Sequence, residues 1–180
     1  DPNKNTIGQK ADLFVSLQPG TDAALALGLA KIIEEEGKTD DAFMQQKSCA
    51  PFLVKESDGR FLRKSDLEEG VAADADDFAV WDEATNAMGY ASTAQNPVLR
   101  KKGIEVAGQR CNTAYSLLIY RISEYPIEMV SEVTTVPEEA IRTFADLLCR
   151  PGMADIFQGY GIDHYGHGFN TIAAVSVLRI

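Results

Sequence analysis

The sequence predicts an α/β fold: a parallel sheet with flanking helices and an irregular lobe inserted in its middle. Three observations predict it. Leu13, Val15 and Leu17 alternate along residues 11–17 as a strand does, and Pro19-Gly20 then breaks the chain before a long Ala- and Leu-rich run. A second apolar stretch, residues 154–159, leads through a glycine-rich loop into another helical run. Between them, residues 65–77 are rich in Asp and Glu and poor in large apolar groups, so no continuous sheet is expected there.

Each element has its own signal. After a polar start with a single helical turn near 6–10, the strand 11–17 hands over to a helix from Asp22 to Glu36. Leu25, Leu29, Ile32 and Ile33 share one face of that helix, Thr21 or Asp22 caps it, and Gly37 stops it. A short helix is expected from Thr39 or Asp40 to Ser48, with Phe43 packing inward. Residues 51–55 and 60–63 flank the turn Ser57-Asp58-Gly59, as a hairpin requires. Residues 65–77 read as a solvated, partly flexible loop, 78–81 and 103–106 as strands, and 86–97 as irregular. Three amphipathic helices follow, over 113–124, 128–133 and 137–148, the last stopping at Pro151-Gly152. A buried strand over 154–159, a loop to 166 and a helix over 168–180 complete the chain. Strand and helix alternating in this way imply a Rossmann-like parallel sheet with right-handed crossovers. The expected organisation is one domain over 1–180, with 50–112 a less regular insertion.

Composition narrows the function classes. With 45% hydrophobic and 24% charged residues, the chain has the makeup of a globular domain with a proper core. A net charge of −10 argues against nucleic acid or an anionic membrane surface as partner, and no apolar run is long enough for direct membrane insertion. Cys49, Cys111 and Cys149 form no Cys-x-x-Cys, so spacing supports neither a zinc site nor an iron–sulfur cluster, and buried free thiols are expected. The compartment stays open.

Two stretches concentrate chemistry. A strand, a tight glycine turn and a helix N-terminus at Gln18-Pro19-Gly20-Thr21-Asp22 make a place for an anionic or nucleotide ligand; the plainer reading is a well-capped connection. The run Gly159-Tyr160-Gly161-Ile162-Asp163-His164-Tyr165-Gly166-His167-Gly168 holds both histidines. Asp163, His164 and His167 are able metal ligands, a Gly-rich loop can bring backbone N–H groups to a ligand, and exposed histidines without a role fit as well.

The order of motifs resembles one family. Asp1-Pro2-Asn3, Ala11-Asp12 and Pro19-Gly20-Thr21-Asp22, followed by a long helix, are similar to the Asp-Pro-Arg, Ala-Asp and Pro-Gly-Thr-Asp series of the molybdopterin oxidoreductases of the dimethyl sulfoxide reductase type. Ile33–Gly37 with Asp40–Phe43, Pro126–Pro137 with Ile141-Arg142, and Gly159-Tyr160-Gly161 continue the likeness in order. It is loosest between about 50 and 115.

The resemblance implies a cofactor-binding domain of a molybdenum or tungsten oxidoreductase, holding the guanine dinucleotide end of a molybdopterin cofactor. The two-electron redox or oxygen-atom transfer would occur in the full-length enzyme. Asp1 would hold the ribose or guanine end, and Asn3 stands where the family usually has Arg. Asp22 would accept from the guanine edge within the turn Gln18, Pro19, Gly20 and Thr21. Gly159, Gly161, His164 and His167 would approach the cofactor from the second loop. Thr135 stands where many relatives have Gly. No residue is identified as ligating the metal, and no catalytic residue is expected. The chain would be an excised piece, inactive and cofactor-free alone, whose partners are the remaining domains of the same enzyme and an iron–sulfur electron-transfer subunit. The competing reading is a free-standing Rossmann-like nucleotide-binding or interaction module without a redox role.

Overall fold

The computed structural model describes residues 3–152 and 155–179, so the expectations for Asp1, for the start of a strand at Ala154 and for a helix end at Ile180 lie outside the described residues. In chain order the elements are α1 (Asp22–Glu35), α2 (Asp41–Lys47), β1 (Leu53–Lys55), α3 (Lys64–Leu67), β2 (Ala79–Asp82), β3 (Ala87–Tyr90), β4 (Ile104–Val106), β5 (Gln109–Thr113), α4 (Ala114–Ile122), α5 (Ile127–Thr134), α6 (Glu138–Leu148), a 3-10 turn (Tyr160–His164) and α7 (Gly168–Val177). The chain divides into two compact units, Asp1–Thr39 with Arg121–Ile180, and Asp40–Tyr120.

The first unit is built on α1. Leu25, Leu29 and Ile32 bury against Ile127 and Val130 of α5 and Ile141 and Ala145 of α6, while Ala26 meets Ala174 and Val175 of α7. Small residues let helices approach: a β-carbon on Gly28 would stand 2.7 Å from Cγ2 of the fully buried Val130. At the end of α1 the Gly37 N–H donates to Glu34 and the Lys38 N–H to Ile33, with Gly37 at φ +64°. That pair of bonds is the glycine stop expected from sequence. The cap at the other end is not the expected one. The Thr21 hydroxyl donates to the Gln18 carbonyl at 2.6 Å, and no side chain caps α1 from Thr21.

Residues 11–17 belong to no sheet ladder among the described residues, against expectation. The Gln18 N–H donates instead to the carbonyl of Thr134 at the end of α5, and Leu17 is buried with the helices. Residues 155–159 likewise form no ladder, and Phe157 is 95% exposed rather than buried.

In the second unit every described strand pairs antiparallel, β1–β5–β4 in one sheet and β2–β3 in the other. Among the described residues the fold is therefore a mixed helix and strand fold with small antiparallel sheets, and the expected parallel sheet is not seen. The connections explain it. Ala107 and Gly108 both have positive φ, at +48° and +75°, and form a two-residue turn between β4 and β5. Such a turn joins antiparallel neighbours and is far too short for a parallel crossover. The expected hairpin around Gly59 is present, since Val54 bridges Phe61 and the Leu62 N–H donates to Leu53. Strand β3 lies within 86–97, which the sequence left irregular, and α3 runs from Lys64 into the acidic loop.

Two side chains explain the remaining differences. Asp40 caps α2 by accepting from the Phe43 N–H, a phase that turns Met44 inward and leaves Phe43 46% exposed. Asp82 is buried, and its carboxylate accepts from the backbone N–H groups of Gln95, Asn96 and Ala84. Those donors hold its carboxyl below the usual range, led by Gln95. The core of this unit gathers Leu53, Leu62, Ala79, Ile104, Val106 and Cys111, where burial pushes the Cys111 thiol up. Beside it Phe52 stacks on Phe78 at 4.5 Å, and Phe61 meets both edge-on at 5.6 Å.

Candidate functional site

The first unit contains a cleft of about 530 Å³, a size that takes a small-molecule ligand. Its floor is Leu25, Ala26 and Leu29 of α1, its walls are Val15 and Leu17 with Phe144 and Leu148 of α6, and Val175 and Leu178 close one side. The segment from Ile156 to Gly161, with Ile162 and Tyr165, forms the remaining wall. The two stretches singled out in the sequence thus meet at one cleft.

Pro19, Asp22, Gly159 and Gly161 line it, whereas Gln18, Gly20, Thr21, His164 and His167 are not among its lining residues. Gln18 and Thr21 shape the turn through their mutual bonds, the Thr21 N–H and hydroxyl both donating to the Gln18 carbonyl. Gly20 holds φ +85°, and a β-carbon there would stand 3.4 Å from Cδ1 of Tyr165, so the first turn is fitted under a ring from the second loop. Both histidines are exposed. The His164 ring lies edge-on to Tyr160 at 4.8 Å, and His167 precedes α7, its carbonyl accepting from the N–H and hydroxyl of Thr171. Among the described residues no group of three or more His, Cys, Asp or Glu side chains is placed to hold a metal ion. Asn3 is exposed, and Asp1 lies outside the described residues.

Asp22 is the charged residue of the lining; Gln158 and Tyr165 supply its other polar side chains. Asp22 sits in the first turn of α1, at the positive end of the helix dipole. The Nε2 of Gln158 is buried and has no hydrogen-bond partner among the described residues. Such a donor is costly unless a ligand completes it. Its segment is tethered from behind, where Arg179 donates to the Ile156 carbonyl. Sequence reasoning passed over Gln158 and Tyr165. The signal for Gln158 was a lone amide in an apolar run just before a Gly-x-Gly.

No family model matches the chain. The chain is 27% identical over 189 aligned positions to dimethylsulfide dehydrogenase subunit alpha of Rhodovulum sulfidophilum, covering 98% of this chain and 20% of that protein. It is 30% identical over 179 positions to respiratory nitrate reductase subunit alpha of Haloferax mediterranei, covering 87% of this chain and 18% of that one. Acetylene hydratase from Pelobacter acetylenicus shares the fold over 99% of this chain and 16% of its own, with a TM-score of 0.59 at 20% identity. The chain spans about one-fifth of the length of the curated relatives it matches. Matches of this extent, together with the motif series from Pro19-Gly20-Thr21-Asp22 to Gly159-Tyr160-Gly161, lead to one conclusion: the chain belongs to the molybdopterin oxidoreductases of the dimethyl sulfoxide reductase type.

Proposed function

We propose that this chain holds the guanine dinucleotide end of a molybdopterin cofactor within a molybdenum or tungsten oxidoreductase. One observation carries the reading: Asp22 and Gln158 line the same cleft, and the Gln158 Nε2 is buried with no hydrogen-bond partner among the described residues. An acceptor and an unsatisfied donor in one largely apolar cleft fit a polar, planar ligand edge. The residues present therefore fit the group. When bound, the cofactor supplies the two-electron redox or oxygen-atom chemistry of the whole enzyme.

This chain's own part is to bind and orient. Asp22 is the acceptor for the adjacent N–H groups of guanine, and α1 presents its N-terminus beside it. Pro19, Gly159 and Gly161 keep the walls thin, Gly20 seats the turn under Tyr165, and His164 and His167 reach the ligand from the rim. Gln18 and Thr21 act through the shape of the turn. Asn3 binds beyond the cleft, without the charge an Arg would bring, and Asp1 is read as a further contact to the ribose or guanine end.

The remainder of such an enzyme would supply neighbours. Residues 11–17 and 155–159 are read as strands of a Rossmann-like parallel sheet completed there, with 50–112 an insertion within one cofactor domain. The exposed Phe157, Tyr160 and Phe169 would be covered by the remaining domains. An iron–sulfur electron-transfer subunit is the proposed partner, supported by relatives that are themselves subunits.

The test is Asp22→Ala and Asp22→Asn in the full-length polypeptide, measuring molybdenum or tungsten and released guanine nucleotide per protein alongside melts. Hydrogen bonds to a charged group are worth about 1.5–3 kcal/mol each, so guanine-end binding should weaken by roughly ten- to a hundredfold. The first-turn charge contributes only about 0.3–1 kcal/mol to the helix. Asn should therefore melt near wild type yet lose cofactor. Equal cofactor content in all three proteins would leave Asp22 a helix residue only.

A further inference from the structure

We infer that the patch formed by Lys102, Tyr120 and Leu117 in the second unit docks a carboxylate-rich segment of another polypeptide. None of these residues lines the cleft of the first unit, and the inference does not depend on the cofactor reading. Three cations stand in a row at Arg100-Lys101-Lys102, in a chain whose net charge is −10. Arg100 is engaged by Asp41 at 2.5 and 3.1 Å, and the Lys101 ammonium lies 4.5 Å from the ring centroid of Trp81. Lys102 is exposed, and among the described residues it joins no carboxylate. Its ammonium stands 5.7 Å from the ring centroid of Tyr120, which is 64% exposed. Leu117, one turn earlier on α4 and so a neighbour of Tyr120, is 38% exposed.

The cationic run belongs to no strand, yet its backbone is held. The Thr113 N–H donates to the Lys101 carbonyl at 3.0 Å, the Ser116 hydroxyl donates to the same carbonyl at 3.3 Å, and the Thr113 hydroxyl donates to the Leu99 carbonyl. Thr113 and Ser116 are themselves buried. On the other side of Lys102 the Gly103 N–H donates to the Asn112 side-chain oxygen at 2.9 Å. A side chain presented from a fixed backbone has less freedom to lose on binding. Tyrosine suits the centre of an interface, and a lysine at its rim steers the partner in. The chemistry of that partner follows from charge. A membrane or a nucleic acid presents anions over a wide surface and meets the repulsion of the whole acidic chain. A short carboxylate-bearing segment meets chiefly the local field, which is screened within about 8–10 Å at physiological salt. Its carboxylate would pair with Lys102 while an adjacent apolar residue covers Tyr120 and Leu117.

The test takes the full-length protein, purified from its native source at low salt together with the polypeptides that accompany it. A carbodiimide joins a lysine amine to a carboxylate already in contact with it, and mass spectrometry maps the joined peptides. Lys102 should be joined to an Asp or Glu in a carboxylate-rich stretch of a different polypeptide. The yield should fall at least about tenfold in about 1 M salt, where the screening length shrinks to about 3 Å. Lys102→Glu should slow reassociation of the separated chains at least about tenfold, and Tyr120→Ala should speed their dissociation about tenfold, with thermal melts unchanged. The cross-link map of wild type decides the matter even if a variant fails to fold. No cross-link from Lys102 to another polypeptide overturns the inference, whether or not one accompanies the protein, and so does a cross-link to a carboxylate of the same polypeptide. A cross-link indifferent to salt overturns it too. Sedimentation of wild type with phosphatidylserine vesicles, lost in Lys102→Glu, would assign the patch to a membrane surface instead.

Discussion

Tyr165 lies against Gly20 so closely that a β-carbon on the glycine would stand 3.4 Å from ring atom Cδ1 and 3.7 Å from Cε1. Two stretches separated by most of the chain therefore share one contact, and that contact seats the turn before α1 beside the wall that carries Gln158.

Gly20→Ala tests that contact. At φ +85° an L side chain is strained by roughly 1–2 kcal/mol, whereas a β-carbon there would make only an ordinary contact with Tyr165. Denaturant unfolding should show a loss of about that size, and cofactor retention should fall with it. In a Tyr165→Ala background the backbone strain stays, so the glycine substitution should cost about as much there.

Gly28→Ala tests the approach of α1 to α5. An exposed helical glycine replaced by alanine would gain up to about 1 kcal/mol in helix propensity. Here the new carbon would stand 2.7 Å from Cγ2 of a fully buried, β-branched Val130. Overpacking of this kind costs about 1–3 kcal/mol, so the net change should be destabilising. With Val130→Ala already present the same substitution should stabilise, which a double-mutant cycle in urea would reveal.

Thr135→Gly should stabilise the protein. Thr135 is an exposed, β-branched residue at φ +61° just past α5, in the conformation that a glycine adopts freely. Relief of roughly 1–2 kcal/mol of strain is set against roughly 0.5–1 kcal/mol of glycine chain entropy, leaving a gain below about 1.5 kcal/mol. An unfolding midpoint that stays or drops would show that the Thr135 side chain supplies something beyond the turn.

Acid should open the second unit first around Asp82. Its carboxyl is held below the ordinary value of 3.8 by the N–H groups of Gln95, Asn96 and Ala84. Asp58 is lowered by the Arg60 N–H and Asp76 by the Ser65 N–H. A depressed folded value gives stability that is present above pH 3.8 and lost as pH falls through the folded pKa. Amide exchange over 83–97 should therefore be slow relative to unstructured chain at pH 7 and lose protection below the carboxylate range. Asp82→Asn should already lose part of that protection at pH 7. Equal protection in the Asn variant would mean that the carboxylate charge is not what holds the loop.

Local chemistry made several elements legible from sequence. Gly37 stops α1 by the bonds its type favours, Pro126 and Pro137 stand just before α5 and α6, and Gly59 lies in the turn of the expected hairpin. The spacing of Leu25, Leu29 and Ile32 marked the buried face of α1. The series of short motifs marked the family, because motif order is a property of the chain itself.

What only the tertiary structure decided depends on partners distant in sequence. Alternation at Leu13, Val15 and Leu17 describes a half-buried segment, but whether it joins a ladder depends on what lies beside it, and the described neighbours are helices. The strands that do pair are joined by turns such as Ala107-Gly108, which lacks the Asn or Asp that announces such a turn, so their antiparallel order was hidden. The same holds at the cleft. Asp22 was visible because it sits in a motif, whereas Gln158 became notable only when folding buried its amide nitrogen with no acceptor among the described residues. Burial and hydrogen-bond satisfaction are relations among residues far apart in the chain, and a one-dimensional pattern cannot carry them.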